Sequence, residues 1–228
     1  MLTTRKQKFS YGLGMNFGAG LGANLKRQSV EYDPALVVQG FKDALTGAKT
    51  RITPGEAQAV LKEVQEEVAK EQQAKMKEVG AKNKAEGDAF LAANKSKEGV
   101  VTLQSGLQYK ILTEGTGPRP TAADTVVCNY RGTLVDGTEF DSSYKRGQPA
   151  TFPVGGVIKG WTEALQLMSV GSKWQLFIPP DLAYGERGAG ADIGPNATLI
   201  FDVELVSIQE KPKAQEKGAE QKKEEEKK

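Results

Sequence analysis

The spacing of apolar residues along this chain changes once, near residue 98, and that change constrains the fold more than any other feature. Before it, apolar side chains recur every four positions, as in Leu13, Phe17 and Leu21. After it they alternate with other residues, as in Val126 and Cys128. The first period is that of one helical face and the second that of a strand. We therefore predict a helical N-terminal region followed by a domain that contains a sheet.

The C-terminal pattern predicts an α+β domain in which antiparallel strands wrap on one short helix. The alternating residues that mark the strands are Leu107, Tyr109 and Ile111, then Val126, Cys128 and Tyr130, then Trp174, Leu176 and Ile178, and finally Leu199, Phe201, Val203 and Leu205. The dipeptide Asp136–Gly137 is a hairpin turn signal. Helical spacing returns only in Trp161, Leu165 and Met168, and Gly171 is the expected stop.

Two helix starts can be recognised in the N-terminal region. Asp33–Pro34 supplies an N-cap followed by proline at the first helical position, and Gly47 ends that helix. Thr53 and Glu56 have the spacing of a capping box. The helix that starts there is expected to run from Pro54 to about Asn94.

This last helix is expected to be about 60 Å long, at 1.5 Å per residue. Residues 66–84 are mainly Lys, Glu, Gln and Ala, so much of its surface has nothing to bury. We interpret it as a solvated stalk that holds two modules apart, the alternative being a poorly ordered linker. Gly80 and Gly87 are expected to weaken the helix and let it bend.

The first 27 residues are rich in glycine. The spacing of Gly12, Gly14 and Gly18 is one residue too long for a dinucleotide-binding loop, and no strand precedes it, which argues against nucleotide binding. Small residues instead let another helix approach closely. The first 60 or so residues hold too few apolar side chains for a core of their own. We therefore expect a homodimer through the N-terminal helices.

These patterns divide the chain into four segments. A helical dimerisation region covers 1–53, a connecting helix 54–97, and the sheet-containing domain 98–209. The highly charged segment 210–228 has almost nothing apolar to bury and is expected to be disordered.

Composition excludes several kinds of chemistry. The 228 residues contain no histidine, which rules out a Ser-His-Asp triad, a histidine base and histidine-bound zinc. Cys128 is the single cysteine and is expected to be a small buried residue. The net charge of +2 argues against a nucleic-acid partner. We expect no transmembrane segment and no signal peptide in this chain, so the protein stays where it is made or has lost a signal.

Aromatic residues recur in the C-terminal domain beside polar residues that an ordinary core does not need. Phe140 is followed directly by Asp141, and Arg146 is close in sequence. The aromatic residues alone fit either a core or a pocket that grips a flat apolar group. The aromatic and polar residues are concentrated in four segments: 137–143, 157–161, 183–185 and 198–202. These segments resemble the FKBP-type peptidyl-prolyl cis-trans isomerases, and the resemblance extends over the whole of roughly 98–209.

The resemblance implies an isomerase site without metal or cofactor. The residues that it implies are Tyr130, Asp141 and Tyr184 as catalytic, and Phe140, Arg146, Phe152, Val157, Ile158, Trp161, Ile193 and Phe201 as substrate-binding. Trp161 would form the floor, and Asp141 would pair with Arg146. Tyr184 and the Ile158 N–H would bind carbonyls of the peptide. Ala150 stands where the family usually has an aromatic residue, which lowers one wall.

The N-terminal segments 24–28 and 35–40, together with 181–187, resemble the Mip-like subgroup of these isomerases. That subgroup implies a homodimer, proline-containing unfolded or partly folded protein substrates, and a periplasmic or outer-membrane-associated location, the alternative being cytoplasmic. The macrolides tacrolimus and rapamycin are implied inhibitors. Three functions stay open: an active isomerase with chaperone activity in the dimer cleft, a chaperone whose isomerase pocket is incidental, and a structural dimer with one fixed partner.

Overall fold

The computed structural model of the chain describes residues 1–209, and the predicted disordered tail lies outside them. Its contacts divide the chain into two compact units, one of residues Met1–Lys75 and one that begins at Met76. The predicted α+β class is confirmed. Within the described part, no helix combines the length and the apolar character that crossing a bilayer requires.

The first unit is helical, and two of its helices, α2 and α3, start where the sequence predicts. The helices are α1 (Arg5–Arg27), α2 (Pro34–Thr46) and the beginning of α3 (Pro54–Asn94). Asp33 caps α2 by accepting hydrogen bonds from the N–H groups of Ala35 and Leu36. Thr53 and Glu56 form the predicted capping box, in which the Glu56 carboxylate accepts from the Thr53 N–H at 2.7 Å.

The second unit is built on a seven-stranded antiparallel sheet. Its strands are β1 (Val100–Thr102), β2 (Gln108–Thr113), β3 (Thr125–Leu134), β4 (Glu139–Ser142), β5 (Ala150–Pro153), β6 (Lys173–Ile178) and β7 (Leu199–Gln209). The order across the sheet is β1-β2-β6-β7-β3-β4. Strand β5 lies outside this order and pairs with a part of β3 that does not pair with β4. The hairpin at Asp136–Gly137 joins β3 to β4, and Gly137 has the positive φ of 87° that such a turn requires.

One hydrophobic core joins the sheet to the short helix α4 (Lys159–Leu167). The predicted residues Trp161 and Leu165 are buried in it together with Met168, which caps the helix. Gly160 allows α4 to lie close to β6, because a Cβ at this position would come within 2.6 Å of Ile178. Burial raises the pKa of the Cys128 thiol to about 12, so Cys128 is a core residue, as expected.

Two glycines of α3 have a packing role that the sequence did not indicate. Gly80 and Gly87 are buried, and the helix continues unbroken past both. A Cβ on Gly80 would lie 3.1 Å from Cβ of Pro195, and one on Gly87 would overlap the hydroxyl of Thr198. These glycines are therefore contact points between α3 and the loop that leads into β7. Only the stretch before them, 69–79, is exposed throughout, as a solvated stalk requires.

The last turns of α3 also pack on the sheet. The Phe90 ring lies 5.8 Å from the Phe177 ring. Asn94 is buried and donates to the Gln108 side chain at 3.0 Å, and Gln108 in turn donates to the Leu91 carbonyl at 2.9 Å. Residues 76–94 thus form part of the second unit. The predicted boundaries at 54, 98 and 210 stay predictions.

We expect Gly87→Ala to destabilise the second unit, although alanine is the better helix former. In a helix interior, alanine is about 1 kcal/mol more favourable than glycine. Inserting an extra methyl group into a contact that has no free space costs about 1–3 kcal/mol. Thermal unfolding followed by tryptophan fluorescence measures the difference. Adding Thr198→Ala should restore part of the loss, because the buried Thr198 hydroxyl has no partner among the described residues. A Gly87→Ala protein more stable than the wild type would contradict this contact.

Candidate active site

A cavity of about 680 Å³ opens on the second unit between α4, the sheet and the loop before β7. The lining is mainly aromatic and aliphatic: Tyr130, Phe140, Asp141, Phe152, Gly156, Val157, Ile158, Trp161, Tyr184, Ala189, Gly190, Asp192, Ile193 and Phe201. All the predicted site residues belong to it except Arg146, which lies behind Asp141. Ala150 is not part of the lining and pairs with Cys128 in the sheet.

Trp161 forms the floor of the cavity, and three rings meet it edge to face. The Tyr130 and Phe201 ring centroids each lie 5.3 Å from that of Trp161, and the Phe152 centroid lies 5.5 Å away. The interplanar angles are between 75° and 88°, the arrangement that the ring quadrupoles favour. The rings thus hold one another in place and leave a fixed apolar basin.

A glycine on β3 brings a fourth ring, that of Phe140, against the Phe201 ring. Gly132 pairs with Phe201 across the sheet. A Cβ on Gly132 would lie 2.6 Å from the Phe140 ring and 2.7 Å from the Phe201 ring. The absent side chain lets these rings meet edge to face with centroids 5.5 Å apart. Gly132 therefore shapes the wall without lining it.

Asp141 is fixed in the wall by two side-chain donors and by the Ser142 backbone N–H, which donates to its carboxylate at 2.8 Å. The Tyr130 hydroxyl donates to one carboxylate oxygen, and Arg146 donates to the other. Arg146 also donates to the Tyr130 hydroxyl oxygen at 2.6 Å, so the three groups form a closed network. The Ser143 hydroxyl accepts from the backbone N–H of Tyr130 at 2.8 Å and holds the end of β4 against β3.

This network is charged but does not exchange protons near neutral pH. Burial by itself would raise the pKa of Asp141, but the hydrogen bonds from Tyr130 and Arg146 and the positive charge of Arg146 outweigh it and lower the pKa below its usual value. Burial, followed by the hydrogen bond to Asp141, raises the pKa of Tyr130. Asp141 is therefore an anion held in the wall of the cavity.

The α4 start supplies a backbone donor at the cavity. Ile158 is the N-cap residue of α4, so its N–H has no acceptor within the helix. Ile158 and Val157 line the cavity next to the Trp161 floor. A carbonyl of a bound peptide can accept from this N–H.

The loop of residues 185–196, here called the flap, closes one side of the cavity. Ala189 and Ile193 exchange backbone hydrogen bonds of 2.8 and 3.1 Å. Gly188 and Gly190 have positive φ angles of 66° and 60°, which form the tight turn. Tyr184 precedes the flap and is 42% exposed, so its hydroxyl is accessible to a ligand.

Four lining residues were not predicted from the sequence: Gly156, Ala189, Gly190 and Asp192. Three of them lie in the flap, where neither apolar period nor aromatic content gives a signal. For these three, the only available signal was their position beside Ile193 in the family resemblance.

Two family models match the chain. The model of the FKBP-type peptidyl-prolyl cis-trans isomerase matches residues 117–206. A model of the domain amino terminal to FKBP-type peptidyl-prolyl isomerase matches residues 6–111. Together they span both compact units.

The relatives match over nearly the whole chain. Outer membrane protein MIP of Legionella longbeachae is 50% identical over 207 residues, which cover 91% of this chain and 87% of the relative. Peptidyl-prolyl cis-trans isomerase Mip of Coxiella burnetii is 46% identical, with 92% and 90% covered. The FKBP-type 22 kDa peptidyl-prolyl cis-trans isomerase of Escherichia coli is 44% identical, with 90% and 96% covered.

Solved structures agree with the sequence comparisons. The crystal structure of FkpA from Escherichia coli superposes with a TM-score of 0.68 at 39% identity, covering 93% of this chain and 100% of that one. A peptidyl-prolyl cis-trans isomerase from Pseudomonas syringae has a TM-score of 0.53 at 46% identity and covers 57% of this chain and 95% of its own. The aromatic basin, the fixed aspartate and the helical N-terminal unit thus occur together in a chain that belongs to the FKBP-type peptidyl-prolyl cis-trans isomerases, in the Mip-like group with an amino-terminal domain.

Proposed function

We propose that the cavity binds the prolyl ring of X-Pro segments in folding proteins and stabilises the twisted state of the bond before it. Peptidyl-prolyl isomerisation is the activity of the family. The observation that carries the assignment to this cavity is the basin of edge-to-face rings on Trp161, beside a carboxylate fixed by Tyr130 and Arg146. Such a basin offers apolar contacts to the small saturated ring of proline.

The chemistry needs no nucleophile and no proton transfer. Rotation about the X-Pro bond has a barrier of about 18–20 kcal/mol, because amide resonance is lost on the way. No covalent bond is made or broken, so the protein needs only to bind the twisted amide more tightly than the planar one. Each 1.36 kcal/mol of that preference accelerates rotation about tenfold.

The apolar basin supplies this preference by excluding water. A planar amide is more polar than a twisted one, so an environment without water disfavours the planar ground state. Trp161, Phe140 and Phe201 form that environment. The Tyr184 hydroxyl and the Ile158 N–H would hold carbonyls on either side of the bond, so that rotation is confined to the prolyl linkage.

An assay with short X-Pro peptides tests the activity directly. The purified chain should accelerate cis-trans interconversion in proportion to its concentration, and a peptide with alanine in place of proline should not compete. A rate unaffected by any concentration of the protein would refute the proposed activity.

We also propose that two chains dimerise through the N-terminal helices. Helix α1 has no buried residue, and its large apolar side chains are exposed: Phe9, Tyr11, Leu13, Met15, Phe17 and Leu21. Monomeric proteins rarely leave so many large apolar side chains of one helix in water, and a second copy of the chain would cover them.

Replacing Phe17 with aspartate should break this dimer. Phe17 is 61% exposed in one chain, so within a dimer the substitution would bury an unpaired charge. Light scattering should give twice the chain mass of 24.5 kDa for the wild type and the single mass for the variant. Asn16→Asp adds the same charge to a neighbouring polar position and is expected to stay dimeric. A monomeric wild type would refute the proposal.

Chaperone activity in the dimer is a second candidate function. The exposed apolar residues of α2, among them Val38, Phe41 and Leu45, offer contacts to unfolded chains. Refolding of a client that contains no proline separates the two functions. If an isomerase-inactive variant still increases the refolding yield of this client, the chaperone activity lies outside the cavity. If the wild type does not increase the yield, chaperone activity is refuted.

We further propose an envelope location and macrolide binding. The Legionella longbeachae relative is named an outer membrane protein, which supports a periplasmic or outer-membrane-associated site of action. Tacrolimus and rapamycin would occupy the same basin as the prolyl ring. Ala150 lies outside the lining of the cavity, in keeping with the lower wall that the sequence predicts at this position.

A further inference from the structure

The end of the flap is held by helix α3. The Asn83 side chain donates to the Pro195 carbonyl at 2.8 Å. Gly194 lies so close that a Cβ on it would come within 2.9 Å of the same Asn83 nitrogen. Asn83 is half-buried, and both contacts lie within the second unit. One side chain of α3 thus fixes two consecutive residues of the flap.

A second asparagine connects the flap back to the helix. The Asn196 side chain donates to the Gly80 carbonyl at 3.4 Å. Its backbone N–H donates to the Gly185 carbonyl at 2.8 Å, which closes the base of the flap. Asn196 has a φ of 53°, a left-handed conformation that asparagine tolerates better than most residues. The contacts of Asn196 therefore fix both ends of the flap relative to α3.

Both fixed points adjoin residues of the cavity. Ile193 precedes Gly194 in the chain, and Tyr184 precedes Gly185. Gly188 is packed against the Ile193 and Gly194 backbone so tightly that no side chain fits between them. The flap is consequently stiff across its width, and a displacement at 194–196 is passed on to Ile193 and Tyr184.

We propose that Asn83 is a positioning residue of the isomerase site, and this inference rests on the proposed function of the cavity. It acts through the flap and touches no substrate. The hydrogen bond to Pro195 keeps Ile193 against the prolyl ring and keeps Tyr184 in place for the peptide carbonyl. The part of α3 that contacts the flap, at Gly80 and Asn83, thereby supports the site.

The test compares Asn83→Ala and Asn83→Asp with Asn94→Ala. Asn94 is a matched control, because it is an asparagine of the same helix whose side chain donates to Gln108, away from the flap. Asn83→Asp keeps the shape but removes the donor. We expect both Asn83 variants to raise KM for X-Pro peptides about five- to tenfold with kcat within twofold. Asn94→Ala should lower thermal stability and leave both constants unchanged.

Hydrogen exchange gives a readout that does not depend on activity. The Ile193 N–H, which donates to Ala189, should exchange about tenfold faster in both Asn83 variants and at the wild-type rate in Asn94→Ala. Unchanged KM and unchanged exchange in the Asn83 variants would overturn the inference. So would an equal rise of KM in Asn94→Ala, which would reveal a general effect of helix stability. An inactive wild type would count against the proposed function, and exchange at Ile193 would still decide the role of Asn83.

Discussion

Replacing Asp141 with alanine is expected to lower kcat/KM for X-Pro peptides by about ten- to a hundredfold without unfolding the protein. A hydrogen bond to a charged group is worth about 1.5–3 kcal/mol, which corresponds to a rate effect of this size. Without the carboxylate, the Tyr130 hydroxyl and the Arg146 guanidinium lose their acceptor at the cavity wall. Arg146 then keeps only its hydrogen bond to the Tyr130 hydroxyl, and the wall of the basin loses its negative charge and part of its fixed shape.

Glu139 offers a matched control on the same strand. Its carboxylate pairs with Arg131 and Lys145 at 2.8 and 2.9 Å, but it does not line the cavity. Glu139→Ala removes an ion-paired acid from β4 and should leave kcat/KM within twofold of the wild type. If both variants lower kcat/KM equally, the effect comes from a loss of stability in β4, and the proposed role of Asp141 in the cavity is refuted.

The pH profile follows from the direction of the shift. The folded-state pKa of Asp141 is lowered, so the charged network is complete at neutral pH. Its contribution to stability is fully present above the ordinary pKa of an aspartate, about 3.9, and is lost as the pH falls through the lower folded-state value. Since the chain has no histidine, the rate constant should show no bell-shaped dependence around neutrality.

Local signals in the sequence were sufficient for the starts of α2 and α3 and for β2, β3, β6 and β7. The capping box of Thr53 and Glu56 and the Asp33 cap depend only on residues a few positions apart, so their sequence spacing determines them. The alternation around Trp174 is likewise a local consequence of one buried face. The aromatic floor at Trp161 was recognised because its neighbours in sequence match the family.

Contacts between distant segments leave no such signal. Gly80 and Gly87 have the same appearance in the sequence as helix-weakening glycines, and only the loop more than 100 residues later explains them. Asn83 is one polar residue among many on a charged helix, so its bond to Pro195 could not be foreseen. Gly132 was missed for the same reason, because the two rings that it accommodates come from other strands.

Variants of the two tryptophans of the chain can distinguish a role in the cavity from a role in the core. Trp161 and Trp174 are both almost fully buried, and the indole N–H of each lacks a partner among the described residues. Trp174 stacks on Tyr109 with centroids 4.3 Å apart and does not line the cavity. We expect Trp161→Leu to lower kcat/KM more than tenfold, because the floor loses the ring that the three others contact.

Trp174→Leu should cost a similar amount of stability and leave kcat/KM within twofold. Both losses should be below the about 3–5 kcal/mol that is typical of alanine in place of a buried aromatic residue, because leucine fills part of the space. Urea unfolding and the peptide assay on the same samples distinguish the two effects. Equal activity of the two variants would mean that the Trp161 ring contributes only packing.

Each variant also leaves a single tryptophan, which makes binding visible without catalysis. In Trp174→Leu, the remaining emission comes from Trp161 and should change when a prolyl peptide occupies the basin above it. In Trp161→Leu, the emission of Trp174 should not respond to the peptide. Because the signal depends on where the ligand sits and not on how fast its bond rotates, a response from Trp174 alone would move the binding site away from the floor, whatever the rates show.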